Sequence, residues 1–167
     1  MNRRNLVWAA AGLGAYLAFR KMSSRSRSAA EVELWSRSFP TPEGGTLEMR
    51  SLRGQTLIVN FWASWCGPCV AEMPSLSRFH EQHRSAGWGV LGLAAQDMKS
   101  REEFLARRPV SFPVGVVGNI GLSRGLGKEK GTIPFTVVLD RFGEVLDHRR
   151  GMLKSGDLER WASQFTP

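Results

Sequence analysis

The chain has 167 residues, enough for one domain with its own hydrophobic core, and a formal net charge of +8. Residues 1–30 hold six basic side chains and no acidic one, whereas the 17 basic and 15 acidic side chains of the remaining chain nearly balance. The positive charge therefore belongs mainly to the N-terminal tail, and we expect no nucleic-acid partner for the rest of the chain.

The N-terminal tail contains an apolar run, residues 6–19, with basic residues on both sides. A helix of this length spans about 21 Å, less than the ~30 Å hydrocarbon core of a bilayer, but the side chains of Arg20 and Lys21 can extend to the interface. We favour an uncleaved membrane anchor formed by residues 1–21. A cleaved signal peptide, ending near the small residues 28–30, and a mitochondrial transit peptide are the alternatives. Each of the three would carry the following domain out of the cytosol.

Residues 22–36 are predicted to form a polar linker, with a short helical stretch at residues 31–35. The folded domain is expected to occupy residues 37–167. It begins with an extended segment, a turn at residues 43–46 and a short strand at residues 47–49.

Both cysteines of the chain fall in one motif, Cys66-Gly67-Pro68-Cys69. A strand-like run, residues 56–62, precedes the motif, and apolar residues at helical spacing follow it, namely Val70, Met73, Leu76 and Phe79. Cys66 should lie at the N-terminus of a helix, where unpaired N–H groups and a partial positive charge lower the pKa of a thiol below about 8.5. The spacing keeps the sulfurs close enough to bridge, so Cys66 can attack a disulfide and Cys69 can resolve the mixed disulfide.

Two other patterns do not satisfy the requirements of a site. His80 and His83 share the predicted helix, but a metal site needs further ligands, and the spacing is one residue shorter than in zinc proteases. Glycines recur between residues 118 and 131, but no glycine stands five residues before Gly127, as a P-loop requires. We therefore predict neither a metal ion nor an organic cofactor.

The remaining elements alternate between strands and helices. Residues 90–95 and 114–117 are predicted strands, with a helix at residues 100–107 between them. Two further strands follow, and a final helix has one apolar face, with Ser155 or Asp157 as its cap. This order predicts an α/β fold with a central mixed sheet flanked by helices.

The sequence resembles a known family at two motifs. Trp65-Cys66-Gly67-Pro68-Cys69 is the active-site motif of thioredoxins, and the longer run over residues 59–74 resembles the membrane-tethered TlpA/ResA-like thiol-disulfide oxidoreductases. The second motif, Thr132-Ile133-Pro134 before a strand, stands at the matching distance. The resemblance covers about residues 37–165. It implies a thioredoxin-like fold with an N-terminal hairpin extension and a strand–helix–strand insertion.

The resemblance also implies roles for individual residues. Cys66 and Cys69 would form the redox disulfide, with Trp65, Gly67 and Pro68 supporting it. Asn60 stands where cytosolic thioredoxins carry a buried aspartate, so another group must accept protons in this chain. Glu72, one helical turn after Cys69, is the candidate, and its alternative is a solvated acid on the helix surface.

The resemblance implies a cis peptide bond before Pro134, facing the cysteine pair. Ile133 would then offer its backbone to an extended client chain. A proline that simply opens a strand is the alternative.

These features favour a membrane-tethered reductase of protein disulfides on the periplasmic side of a bacterial inner membrane. The resemblance implies clients in cytochrome c maturation or oxidase assembly, and a membrane thiol transporter as electron donor. A disulfide oxidant or isomerase of the same fold is the first alternative, because potentials of Cys-x-x-Cys proteins vary widely. A Cu(I) chaperone assisted by Met98, Met152 and His148 is the second, and a domain that only binds partners is the third.

Overall fold

A computed structural model describes residues 28–95, 98–118, 120–127 and 132–165. The apolar run at residues 6–19 lies outside these ranges, so its three interpretations stay predictions. Across the part that is described, no helix has both the length and the apolar character needed to cross a membrane.

The described chain opens with helix α1, Ala29–Ser36, which begins in a capping box formed by Ser28 and Glu31. Leu34 is fully buried, and Trp35 is 4% exposed and donates its Nε1–H to the carbonyl oxygen of Gly143 over 3.0 Å. The structure therefore packs α1 onto the domain, whereas the sequence interpretation places it in the linker. Its short length and its place after a Ser/Arg-rich stretch hide the packing of Leu34 and Trp35 from sequence reasoning.

A short antiparallel hairpin follows, made of β1, Ser38–Pro40, and β2, Thr46–Glu48. A 3₁₀ turn at Met49–Leu52 connects it to the central strand. The hairpin extension that the resemblance implies is thus present.

A five-stranded mixed sheet forms the centre of the domain, with the strand order β5-β4-β3-β6-β7. Strands β3, β4 and β5 are parallel to one another. Strand β6 runs antiparallel to β3, and β7 runs antiparallel to β6. The strands are β3 at Thr56–Trp62, β4 at Trp88–Ala94, β5 at Val114–Val116, β6 at Phe135–Leu139 and β7 at Val145–Arg150. The predicted α/β fold with a mixed sheet is confirmed.

Three helices accompany the sheet. Helix α2, Gly67–His83, continues as a 3₁₀ turn that ends at Gly87, whose φ of 88° suits glycine. Helix α3, Met98–Arg107, lies between β4 and β5, and helix α4 spans Asp157–Gln164. The predicted cap of α4 is wrong, because Gly156 occupies the N-cap position and makes no side-chain hydrogen bond.

The two faces of the sheet bury separate hydrophobic clusters, because side chains alternate along a strand. The α2-side cluster contains both cysteines and joins β3 to α2 and α4; it includes Ile58, Trp62, Cys66, Cys69, Met73, Leu76, Leu158 and Trp161. The α1-side cluster joins the opposite face to α1 and to a 3₁₀ helix at Ile120–Leu126; it includes Leu34, Trp35, Val59, Phe61, Leu122 and Leu126. Gly125 packs so closely on Ala30 that a side chain there would collide with it.

Candidate active site

The cysteine motif lies between the central strand and the helix that follows it. After β3, the chain turns so that the N–H of Cys66 donates to the carbonyl oxygen of Ala63 over 3.1 Å. Cys66 is the N-cap of α2, and its Sγ accepts the N–H of Cys69 over 3.3 Å. The sulfurs of Cys66 and Cys69 are joined in a disulfide. The sequence therefore positions the pair as expected, at the start of a helix.

The two cysteines differ in their access to solvent. Cys66 is 7% exposed, whereas Cys69 is fully buried. Trp65, next to them, is 71% exposed. A protein that approaches this face meets the indole of Trp65 and the sulfur of Cys66, while Cys69 stays behind them.

The second motif lies beside the first. The Ile133–Pro134 peptide bond is cis, and Pro134 is buried. The register between β3 and β6 pairs Phe61 with Phe135, so Pro134 comes next to the end of β3, where the chain turns towards Cys66. The carbonyl oxygen of Pro134 accepts the N–H of Gly151 over 3.0 Å. The loop after β7 is thereby attached to this edge.

A groove opens on the other side of Trp65, between the start of α2 and helix α3. Its volume is about 680 Å³, and it is lined by Ser64, Trp65, Gly67, Val70, Glu103, Phe104, Arg107 and Arg108. The ring of Phe104 stands 5.4 Å from that of the buried Trp62. The inserted helix therefore forms one wall of the surface around the cysteine motif.

Glu72 is not a solvated surface acid. It is 4% exposed, on α2 one turn beyond Cys69. Its Oε1 accepts the amide N–H of Asn60 over 2.7 Å, and its Oε2 accepts the backbone N–H of Leu153 over 2.8 Å. Burial raises the pKa of the Glu72 carboxyl, and the hydrogen bonds from Leu153 and Asn60 oppose this effect only in part. A buried carboxyl with a raised pKa, one helical turn from a cysteine of the disulfide, is suited to exchange protons with its surroundings.

Sequence reasoning identified Glu72 but missed the groups that hold it. Asn60 was singled out only as a departure from the aspartate of cytosolic thioredoxins, and Thr136 and Leu153 were not considered. Asn60 and Thr136 are paired in register on β3 and β6. The signal was a polar residue in each of two otherwise largely apolar strands that a thioredoxin-like fold places side by side.

His83 and His148 lie away from the cysteine motif. Among the described residues, no group of three or more His, Cys, Asp or Glu side chains could hold a metal ion. His148 pairs with Val137 and its ring faces Phe135 at 6.0 Å. Both partners belong to the α1-side cluster, so His148 lies on the opposite face of the sheet from the cysteines. His83 stacks on the ring of Phe79 within α2.

Comparison with known proteins gives matches over most of the described chain. The Redoxin family model matches residues 29–161. The thiol-disulfide oxidoreductase ResA of Bacillus thuringiensis is 26% identical over 132 residues, which cover 75% of this chain and 72% of that protein. ResA of Geobacillus kaustophilus is 27% identical over 126 residues, with 75% and 71% covered.

Solved structures give the same picture. A thiol:disulfide interchange protein of the thioredoxin family from Chlorobium tepidum superposes with a TM-score of 0.69 at 25% identity, covering 85% of this chain and 97% of its own. StoA from Bacillus subtilis superposes with a TM-score of 0.61 at 26% identity, covering 75% and 94%. The thioredoxin-like fold that the sequence predicted is confirmed.

Proposed function

The chain belongs to the Redoxin family, and from this we propose that it is a thiol-disulfide oxidoreductase that reduces disulfides of exported proteins. The observation that carries the proposal is the Cys66–Cys69 disulfide at the N-terminus of α2, with the first sulfur near the surface and the second fully buried. This asymmetry supports a mechanism in which Cys66 attacks the client and Cys69 resolves the mixed disulfide.

The reaction starts from the reduced pair. The Cys66 thiolate attacks one sulfur of a client disulfide, forming a mixed disulfide and releasing the other client sulfur as a thiolate. Cys69 then loses its proton and attacks Sγ of Cys66, which restores the Cys66–Cys69 disulfide and releases the second client sulfur. The client gains two electrons and the protein loses two. A membrane thiol transporter would return them in our proposal.

Glu72 is the proposed acceptor of the Cys69 proton. Its burial and its position one turn along the same helix support this role. A buried group with a raised pKa can hold a proton after the thiol has given it up, and can return it to the leaving client thiolate.

Ile133 and Pro134 are the proposed docking edge for the client. The support is their position immediately before β6, beside the turn that carries Cys66. Ile133 is half-buried and packs against both hydrophobic clusters, which hold this segment in place beside the cysteine motif. An extended client segment can pair with such a backbone as an added strand.

We further propose that residues 1–21 anchor the protein in a bacterial inner membrane with the domain on the periplasmic side. The support is the apolar run at residues 6–19, which has basic residues on both sides, as membrane anchors commonly do. Clients of this kind include exported proteins of cytochrome c maturation or oxidase assembly, whose cysteines must be reduced before they bind their cofactor.

The reduction potential of the full-length protein tests the proposed direction. We expect a value below about −230 mV against glutathione or dithiothreitol, together with reduction of insulin disulfides. A value above about −150 mV would reassign the protein as an oxidant of exported thiols. Failure to reduce insulin at any potential would leave a domain that only binds its partners.

A further inference from the structure

The carboxyl group of Glu72 is held by one donor at each oxygen, and the two donors come from different parts of the fold. Leu153 contributes a backbone N–H from the loop after β7, which is present whatever the side chain. Asn60 contributes a side-chain amide from β3, the strand that leads into the cysteine motif. Only the second donor is specified by the identity of a residue.

The Asn60 amide is itself oriented by a third residue. Its Nδ2 lies 3.0 Å from Oγ1 of Thr136 and 2.7 Å from Oε1 of Glu72, so its two N–H bonds have separate acceptors. Asn60 is 1% exposed and Thr136 is fully buried. Bulk solvent does not reach these groups at such low exposure, and the three side chains are linked to one another between β3, β6 and α2.

The oxygen of the same amide has no partner. Asn60 Oδ1 is buried, and no donor in the described part of the chain reaches it. An unpaired buried carbonyl oxygen destabilises the folded state. A residue selected for stability alone would satisfy this oxygen or be apolar, as most residues of β3 are. The Asn60 amide is therefore oriented so that its two N–H bonds have acceptors, while its oxygen is left without a donor.

We propose that Asn60, oriented by Thr136, is a positioning residue for Glu72: it fixes the carboxyl beside the cysteine pair and keeps the ionised form accessible despite burial. The proposal rests on the role proposed above for Glu72. It explains how a chain without the buried aspartate of cytosolic thioredoxins retains a usable acid at this site, because the amide at that position holds an acid on the facing helix.

The surroundings leave few other groups that influence Glu72. Strands β3 and β6 contain no titratable side chain. On α2 the nearest titratable residue towards the motif is Cys69, which is in the disulfide. In the loop after β7, Lys154 is exposed. At the start of α4, Asp157 lies 3.5 Å from Arg149. Burial raises the pKa of Glu72, while the Leu153 N–H and the Asn60 amide lower it in part, and no charged side chain is among these causes.

The test is a carbon-13 NMR titration of the Glu72 carboxyl in the full-length oxidised protein, in detergent micelles, with Glu72→Gln used to assign the signal. Asn60→Leu removes the donor and keeps the branching at Cγ, and we expect the midpoint of Glu72 to rise by about one pH unit. Thr136→Val removes only the acceptor that orients the amide, and should raise it by less. Thr56→Val, which changes a buried residue at the far end of β3, is the matched control and should not move it.

An unchanged Glu72 midpoint in folded Asn60→Leu overturns the proposal. If Asn60→Leu does not fold, an unchanged midpoint in Thr136→Val does so. An equal rise in Thr56→Val also overturns it, because the effect would then come from general loosening of the strand. The catalytic role of Glu72 is tested independently of this proposal. If Glu72→Gln leaves the pH profile of disulfide exchange unchanged, Glu72 is not the proton acceptor. The titration still decides whether Asn60 positions the Glu72 carboxyl.

Discussion

The backbone N–H of Leu153 donates to Oε2 of Glu72 over 2.8 Å and joins two segments that lie 81 residues apart. Two residues before Leu153, Gly151 donates its N–H to the carbonyl oxygen of Pro134. One short loop is therefore bonded both to the buried acid and to the proposed docking edge. The residue between the two bonds, Met152, is 51% exposed, so this loop also contributes to the surface that a client meets.

Single cysteine variants should separate the two steps of exchange. In Cys69→Ser the sulfur of Cys66 still attacks a client, but no thiol resolves the product, so a covalent complex should accumulate and be visible on a non-reducing gel. Cys66→Ser should yield no such complex, because Cys69 is fully buried. Trapping through Cys69 in Cys66→Ser would contradict the assigned order of attack.

Glu72 should make the stability of the oxidised protein depend on pH. Since the native pKa of Glu72 is raised, mainly by burial, the folded state binds this proton more tightly than the unfolded chain. Its stabilising contribution is complete below the unfolded pKa, near 4.5, and is lost as the pH rises through the native pKa.

Urea unfolding of the wild-type protein and Glu72→Gln, at several pH values from about 4 to 8, measures this contribution. The free energy of unfolding of the wild type should decrease with pH relative to that of the variant. If the free energy of unfolding of the wild type instead rises with pH relative to that of Glu72→Gln, the native pKa of Glu72 is lowered and the prediction is wrong.

Helix α1 should contribute to the stability of the domain. Leu34 is fully buried in the α1-side cluster, so Leu34→Ala should lower the free energy of unfolding by about 2–5 kcal/mol. Val32 belongs to the same helix but is 55% exposed, and Val32→Ala should change it by about 0.5 kcal/mol or less. Equal effects of the two substitutions in denaturant unfolding would mean that α1 is not packed on the domain.

Trp65 should contribute to the recognition of protein clients. Its indole is 71% exposed beside the cysteines and also lines the groove along α3. Trp65→Ser should raise the KM for a disulfide-containing protein several-fold, and should change the reaction with a small disulfide such as oxidised glutathione much less. Phe142→Ser removes a ring that is 59% exposed on the turn between β6 and β7 and serves as the control. Similar changes in KM for both variants would argue against a specific contact.

The fold was largely predictable because its main elements carry strong local signals. Strand β3 is a continuous run of buried residues, and the apolar residues of α2 recur at helical spacing. The cysteine and proline motifs then supplied the topology through the family resemblance. The sequence interpretation places helix α1 in the linker, because an acidic residue such as Glu31 is expected to face solvent. In the structure Glu31 faces inwards. Its carboxylate accepts the N–H of Val145 over 2.7 Å, and sequence alone does not reveal such a distant partner.

The candidate site was predictable only in part, for a similar reason. The spacing of Cys66, Cys69 and Glu72 along one helix is local and can be read directly. Whether Glu72 points into solvent or into the protein depends on Asn60 and Leu153, which are distant in the sequence. A hydrogen bond between distant segments leaves no periodic pattern, so burial of an acid is the kind of feature that a structure must supply.

The close packing of Ala30 on Gly125 has a mechanical consequence for the proposed tether. Because α1 is packed on the body of the domain, only the six residues 22–27 separate the proposed anchor, residues 1–21, from the Ser28 cap. A fully extended segment of that length spans about 22 Å at most. Under the proposed anchoring, the domain would stay within a thin layer above the lipid headgroups. The client's disulfide and the donor's thiols would both have to lie within that layer to react.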